Sequence, residues 1–590
     1  MVFFFEDAKG ARPLVRMLRR GGGLPFNAFG ADLAAFILLA GLTVMVIHGT
    51  QQMEAPLAQL SANPVTLDTA RLPEYALRTT LRMFAALGAS LLFTFTVATL
   101  AARSKKAELI IVPALDILQS VPVLGFLTFT VSMFMGWFPG SQLGVECAAI
   151  FAIFTSQAWN MAFSFYQSLR TVPTDLDEVT RQFGFSPWRR FVRLELPYAI
   201  PGLVWNMMMS MSGGWFFVVA SEAITVGKTT VTLPGIGSWL SLAIAREDFK
   251  AVWIGVAAMA VVIVLYDQLV FRPIVAWADK FRFEQTASQG APQSWVYDLV
   301  RRTRFLRQGV DFLLWPLHKL AVLEWSRLPS VPKVQVTLGQ KTNRVLDVIW
   351  LGLVLTACAY AVWILADFIA RHLTWGDVVT TFGLGFATLI RVVVLIALAT
   401  AIWVPVGVWI GLRPAWAERL QPIAQFLAAF PANVLFPFAV MAIVAFRLDP
   451  NIWLSPLMIL GTQWYILFNV IAGASAIPGD MKEVAGIFGI KRWQWWRQIA
   501  IPAIFPYYVT GALTASGGSW NASIVAEAVT WGDRHLEAAG LGAFIAKATA
   551  AGDYPRVALG IAVMSVFVIA FNRSVWRPMY RFAERRLRIN

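Results

Sequence analysis

Two stretches of this 590-residue chain decide how the rest is read. The first is PTDLDEVTRQFGFSPWRRFVRLELPYAIPG, residues 173–202, and the second is PGDMKEVAGIFGIKRWQWWRQIAIPAIFPY, residues 478–507. Each carries a glutamate, Glu178 or Glu483, and a glycine six residues later, Gly184 or Gly489. An aromatic and basic run follows, then two prolines four apart: Pro197 and Pro201, or Pro502 and Pro506. The pattern predicts a short helix, a glycine break, and a second short helix that enters an apolar span at a proline. A helix showing Phe183 and Trp188, or Phe488 and Trp493, is shaped to dock into a partner's groove. Glu178 and Glu483 can pair with an arginine of that partner.

Working outward, the two stretches are one part of a longer repeat. At an offset of 305, Glu178 falls on Glu483, Gly213 on Gly518, Trp215 on Trp520, Glu222 on Glu527, and Arg272-Pro273 on Arg577-Pro578. Upstream the offset is 309: Arg82 falls on Arg391, Pro113 on Pro422 and Pro122 on Pro431. Agreement this long with one four-residue gap marks a duplication.

The composition says what kind of unit was duplicated. Apolar residues make up 58% of the chain, charged residues 14%, and mean hydropathy is +0.62. A soluble domain carries about 25% charged residues, so this chain is built for lipid. Cys147 and Cys358 give no metal spacing and no disulfide framework, and four scattered histidines argue against a metal enzyme. Stretches free of charge predict spans at 33–53, 83–102, 117–145, 147–169, 196–221 and 251–266, and again at 348–366, 392–412, 420–446, 450–479, 498–526 and 557–572. The first stretch starts late, after Arg16, Arg19 and Arg20, and reads as a retained anchor. With the N-terminus inside, 37 of the 49 Lys and Arg residues fall on the inner side and 9 on the outer. The net charge of +15 is therefore the positive-inside bias, and nucleic-acid binding is not expected. Both termini are expected in the cytoplasm. Six spans per copy make a parallel repeat, with its pseudo-axis along the membrane normal.

The expected organisation is a basic N-terminal segment (1–30), a first half (31–272, docking loop 173–197), a basic cytoplasmic linker (273–344), a second half (345–578, docking loop 478–502) and a basic tail (579–590). Within the linker, residues 295–320 place Val296, Leu299, Val300, Leu306 and Val310 at helical spacing among arginines. That reads equally as an interfacial amphipathic helix or as a plain linker broken by Pro292, Pro316 and Pro329.

The docking stretches resemble the EAA loop of binding-protein-dependent ABC transporter permeases. The Glu-Ala-Ala of that family is here Glu178-Val179-Thr180 and Glu483-Val484-Ala485, so only the Glu and the later Gly hold in both copies. Three further features are similar to the nitrate/sulfonate/taurine branch. These are Thr79-x-x-Arg82 and Thr388-x-x-Arg391, then Pro122 with Pro431, and then Ser221-Glu222 and Ala526-Glu527 followed by Gly-Ile-Gly (235–237) or Gly-Leu-Gly (540–542). The resemblance implies an all-α integral membrane protein of two tandem six-helix type I (MetI-like) permease halves with about twelve transmembrane helices. It implies one such chain per importer in the bacterial inner membrane. The loops would couple it to two copies of an ATPase subunit, with a substrate-binding protein as a further partner. ATP and Mg²⁺ would belong to the ATPase, and the chain itself would hold no cofactor and no metal. Gly227-Lys228-Thr229-Thr230 imitates the tail of a P-loop, but Glu222 stands where the first glycine is required. Met211-Ser212-Gly213-Gly214 imitates an ATPase signature inside an apolar span.

Polar and indole groups inside spans mark a candidate pathway for a small anion. In the first half they are Gln119, Ser120, Gln157, Trp159, Asn160, Asn206 and Trp215. In the second they are Asn433, Gln463, Trp464, Asn469, Trp520 and Asn521. Interhelical hydrogen bonding and packing explain any one of them equally well. Four charges sit near the outer span ends. Arg82 and Arg391 either attract an anion or tie down a loop, and Glu222 and Glu527 are expected to be paired. The alternative function is a twelve-span secondary transporter of the major-facilitator kind. Its charged loop after span two is not matched by Arg103-Ser104-Lys105-Lys106. A membrane enzyme is disfavoured because no His, Cys or carboxylate cluster suits chemistry.

Overall fold

A computed structural model describes residues 64–120, 123–226, 229–281, 294–303, 340–477, 479–532 and 534–586, with positions 47, 50, 51, 53, 56, 315 and 319. The first half runs through helices α1 (Thr69–Arg103), α2 (Lys105–Ser120), α3 (Val123–Trp137), α4 (Leu143–Arg170), α5 (Thr174–Gln182) and α6 (Pro187–Glu222). A hairpin of β1 (Ala223–Val226) and β2 (Thr229–Thr232) leads to α7 (Ile236–Ala245) and α8 (Phe249–Phe281). After α9 (Trp295–Arg302), the second half repeats the order: α10 (Gln340–His372), α11 (Trp375–Gly411), α12 (Pro414–Ala429), α13 (Ala432–Ala445), α14 (Pro450–Met458), α15 (Gln463–Ser475), α16 (Gly479–Ile487) and α17 (Arg492–Ala526). It closes with the hairpin of β3 (Ala528–Trp531) and β4 (Arg534–Glu537), then α18 (Leu541–Ala551) and α19 (Tyr554–Ala583). The two hairpins pair in matching register, Ala223 with Thr232 and Ala528 with Glu537.

In each half one helix is the hub. α4 packs on α6 and α1, and α15 packs on α17 and α11. Small residues make the approach possible, because lipid gives helices no hydrophobic reason to associate and close contact must supply the attraction. Ala148, Ala149 and Ala152 are buried along α4, and Gly411 of α11 lies against the Ile471 carbonyl of α15. The halves interlock: α3 reaches over to α17, α18 and α19, while α12 packs on α6 and α8. Exposed Leu92, Leu100, Leu398 and Ile402 form outer faces suited to lipid.

Four π-turns explain how prolines enter otherwise continuous helices. They span Phe191–Glu195, Asp267–Phe271, Trp496–Ala500 and Asn572–Trp576. Each ends two residues before a proline: Pro197, Pro273, Pro502 and Pro578. A proline lacks the N–H for the helical ladder and its ring crowds the carbonyl four residues back. Widening the preceding turn relieves that crowding. In each case the residue before the proline donates its N–H five residues back, as from Leu196 to Phe191 O and from Ile501 to Trp496 O. This corrects one expectation, since the second short helix of each docking loop is not separate but runs on into α6 or α17.

Among the described residues, seven helices are long and apolar enough to cross a membrane, or nine if each bent pair is one span. Most of the expected stretch 33–53 lies outside the described residues, as do 1–30, Pro122 and Gly227-Lys228. The stretch 117–145 is divided between α2 and α3, and 420–446 turns by 82° between α12 and α13. The cause of the second bend is Pro431, which holds Phe430 extended at ψ 124°. The stretch 450–479 bends by 43° between α14 and α15. Helices α8 and α19 run past the expected boundaries at 272 and 578. Of the linker's candidate amphipathic helix (295–320), the start and positions 315 and 319 are described, the latter two as helical. The start is α9, capped by Ser294 and packed against the end of α8.

Candidate functional site

A cavity of about 230 Å³ lies between the halves, lined by both. The first half contributes Gln119, Thr155, Ser156, Asn160, Asn206 and Ser210, with the indoles of Trp159 and Trp205. The second contributes Tyr465, Asn469, Thr510, Thr514, Asn521 and Asn572. Among the described residues, no Asp, Glu, Lys or Arg lines it. Two helix faces build most of the wall, Asn206–Ser210–Gly213 on α6 and Thr510–Thr514–Gly517–Asn521 on α17, each at spacings of three or four. Gln119 donates to Asn160 Oδ1 at 2.6 Å, and Asn206 donates to Ser164 Oγ at 2.8 Å. The Ser210 hydroxyl lines the cavity without a protein hydrogen-bond partner. Trp205 stacks on Phe468 of the other half at 5.1 Å.

The cavity gathers Gln119, Trp159, Asn160, Asn206, Asn469 and Asn521 from the expected pathway. The Ser120 side chain lies outside the described residues. The other candidates lie outside the cavity lining, held in packing contacts. Gln157 is buried, with its Nε2 2.9 Å from Met211 Sδ. Trp215 is buried edge-on against Tyr266, and Trp520 is buried and stacked on Phe567. Gln463 accepts from the Trp403 indole at 2.9 Å, and Trp464 packs on the same ring. Asn433 is a fastener between the halves, donating to Phe216 O at 3.4 Å. Its counterpart is Val123 N, which donates to Asn521 Oδ1 at 2.7 Å, and Phe216 and Asn521 are matched positions of the repeat.

Sequence reasoning missed Thr155, Ser156, Trp205, Ser210, Tyr465, Thr510 and Thr514. The spacing of hydroxyls and amides on α6 and α17 was the available signal. The two walls differ at matched positions: Asn160 against Tyr465, Trp205 against Thr510, Asn206 against Gly511, and Met209 against Thr514. The cavity is therefore asymmetric, as a single chain permits.

The four candidate entrance charges are paired, as expected for Glu222 and Glu527. Arg82 is buried and bidentate on Glu146, at 2.5 and 2.7 Å, and also reaches Glu222 Oε1 at 2.7 Å. Thr79 Oγ donates to the same Glu222 oxygen at 2.6 Å, and Gly237 N donates to the other at 2.6 Å. Glu222 thus caps the positive N-terminus of α7. The second half repeats this with Arg391 Nη1 and Thr388 Oγ each 2.9 Å from Glu527 Oε1, and Gly542 N 2.7 Å from Oε2. A Cβ on Gly235 or Gly540 would overlap the Glu222 or Glu527 carboxylate, which is why glycine stands there. Glu146 has no carboxylate counterpart, since the matched positions hold Asn451 or Ser455. These groups join the ends of the helices that carry them through buried ion pairs and hydrogen bonds.

The docking loops are built as the sequence indicates up to the glycine. Gly184 and Gly489 have φ of +66° and +65°, with open space where a Cβ would stand, so backbone conformation selects glycine. Glu178 and Glu483 are exposed. Phe183 and Phe488 are about three-quarters exposed, at 75% and 76%, and Trp493 is exposed too. Trp188 is half-buried, 5.8 Å from Phe191.

The profile of a family described as "Binding-protein-dependent transport system inner membrane component" matches this chain twice, over residues 90–272 and 403–588. The chain is 30% identical over 189 residues to the "Nitrate import permease protein NrtB" of Leptolyngbya laminosa, covering 32% of this chain and 64% of the relative. It is 32% identical over 146 residues to the "Bicarbonate transport system permease protein CmpB" of Synechococcus elongatus, covering 25% and 51%. It is 28% identical over 168 residues to the "Glycine betaine/proline betaine transport system permease protein ProW" of Escherichia coli, covering 28% and 43%. The chain thus spans less than two thirds of the length of these relatives.

Proposed function

The chain belongs to the family of binding-protein-dependent transport system inner membrane components, and from that premise we propose that it is the fused permease of an ATP-driven importer for a small anion. The observation that carries this reading is the double family match with one cavity held between the two copies. Both halves of the pathway then come from one chain. Two of the three named relatives are nitrate and bicarbonate permeases and match at 30% and 32% identity, against 28% for the glycine betaine/proline betaine relative, which favours an oxyanion of nitrate or bicarbonate size.

The lining suits such a cargo. Amides and hydroxyls can donate hydrogen bonds to an oxyanion. A wall without fixed charge binds it weakly enough to let it go, as transport requires. The exposed loops of α5 and α16 supply two docking points for two ATPase subunits, which would hold ATP and Mg²⁺. The Lys and Arg bias supports loops and termini on the cytoplasmic side. Nucleotide-driven closure of the ATPases would draw the loops together and open the cavity outward. A substrate-binding protein would deliver the anion from the outer face.

The test is reconstitution in lipid vesicles with the ATPase and binding protein of its own system. Labelled nitrate or bicarbonate is expected to accumulate only with ATP. Uptake that needs no ATP and collapses with an ionophore would overturn the reading in favour of a gradient-driven carrier.

A further inference from the structure

The two docking loops are anchored to the body of the protein in opposite ways. In the first, an ion network ties α5 to the start of α6. Asp177 pairs with Arg181 at 2.8 Å and Arg190 at 3.0 Å, and Arg190 continues to Glu195 at 3.0 Å. Glu195 in turn pairs with Arg103 at the end of α1, at 2.9 Å. In the second loop each partner is replaced: Asp177 by Lys482, Arg181 by Gly486, Arg190 by Trp495, Glu195 by Ala500 and Arg103 by Leu412. There, Ile477, Ala485, Ile499 and Ala503 form a small buried core, with Leu412 and Trp495 packed against it.

Their free surfaces differ in the same sense. The second loop shows Ile487 81% exposed and Trp493 69% exposed beside Phe488 and Val484, with Glu483, Lys491 and Arg492 exposed around them but joined in no ion pair among the described residues. The matched positions in the first hold Gln182 and the half-buried Trp188. The first keeps only Phe183 and Val179 as large exposed apolar groups, among exposed Asp175, Glu178, Arg181 and Arg189.

We propose that the two loops hold their ATPase subunits unequally, the second through an apolar, salt-resistant contact and the first through a dock that loosens as ionic strength rises. This rests on the transporter reading above. The physical basis is screening. The pairs bracing the first loop are partly open to water, with Arg103 35% and Arg190 25% exposed. The screening length falls from about 10 Å at 0.1 M salt to about 3 Å at 1 M. Apolar burial is not screened. The second loop therefore takes a partner with an apolar groove wide enough for an isoleucine, a phenylalanine and an indole together.

The experiment is native mass spectrometry of the intact complex with its ATPase over rising ionic strength. A species with one ATPase per permease is expected at intermediate salt, between the two-ATPase complex and the bare chain. Arg190→Gln should produce that species at low salt. Phe488→Asp, at a site too exposed to endanger folding, should lower the salt at which the last ATPase leaves. Simultaneous loss of both ATPases in the unaltered chain, or an Arg190→Gln profile identical to it, would overturn the proposal. Absence of any ATPase at low salt would instead overturn the transporter reading, and this proposal with it.

Discussion

Arg82 and Glu222 meet at 2.7 Å between α1 and the end of α6, and neither side chain has any exposure. Glu146 holds the other edge of the same guanidinium. The corresponding pair, Arg391 and Glu527, is looser at 2.9 Å, and the Arg391 side chain is 14% exposed. The helix ends joined by these pairs are fastened more firmly in one half than in the other.

Removing Arg82 leaves two buried carboxylates unpaired, a change of about 3–5 kcal/mol. Arg82→Ala should therefore lower the thermal midpoint of the detergent-purified chain far more than Arg391→Ala does. Equal shifts would show that the second cluster is buried as deeply as the first.

Gly235→Ala and Gly540→Ala force a methyl group into the Glu222 and Glu527 carboxylates. Overpacking of this kind destabilises by about 1–3 kcal/mol. Gly88, inside its helix, has open space where a Cβ would stand. Gly88→Ala should leave stability unchanged or raise it by about 0.5–1 kcal/mol. Unfolding curves of the three variants make the comparison, and a harmless Gly235→Ala would contradict the close approach.

Asn160→Leu and Thr514→Val each remove a cavity polar group without touching the buried ion pairs. The loss of one hydrogen bond, about 1–1.5 kcal/mol, corresponds to roughly tenfold in rate. Initial uptake in vesicles should fall by about that factor with the yield of folded protein unchanged. Trp464→Phe, outside the cavity lining and packed against Trp403, should leave uptake near normal. If Trp464→Phe is the damaging variant, the pathway runs elsewhere.

Pro197→Ala and Pro502→Ala restore the missing N–H and let the π-turn before each proline tighten to an α-turn. Removing one residue from that bulge rotates the docking helix by about 100° relative to its span. ATP hydrolysis should persist while uptake per ATP falls. An unchanged ratio would mean that neighbouring packing, not the proline, maintains the turn.

Gly184→Ala and Gly489→Ala meet no clash but place a Cβ at positive φ, at about 1–2 kcal/mol. The expected result is near-normal thermal stability with weakened ATPase retention, read by co-purification. A variant that binds ATPase as before would show that the loop tolerates another turn geometry.

Much of the architecture was legible because it follows from spacing along the chain. The 305-residue offset carries over to structure element by element, through the hairpins, the short helices α7 and α18, and the paired π-turns at 191–195 and 496–500. The docking glycines were legible because the αL conformation leaves a single-residue signature. The bends were less so. Pro431 breaks a helix while Pro197 and Pro502 are absorbed by π-turns, and no local rule separates the two outcomes.

The sequence by itself determined that the chain is an apolar duplicated helical unit, where its polar loops lie and which residues are mates. Periodicity, charge and repetition are properties of order along the chain. Tertiary structure alone decided which polar groups face the cavity. Gln157 and Asn160 lie one turn apart on α4, yet Gln157 is sealed against Met211 and Asn160 opens to the centre. It also decided that Arg82 and Arg391 are clamps. A guanidinium's role depends on whether a carboxylate more than a hundred residues away folds to within hydrogen-bond reach, and that distance is fixed by packing.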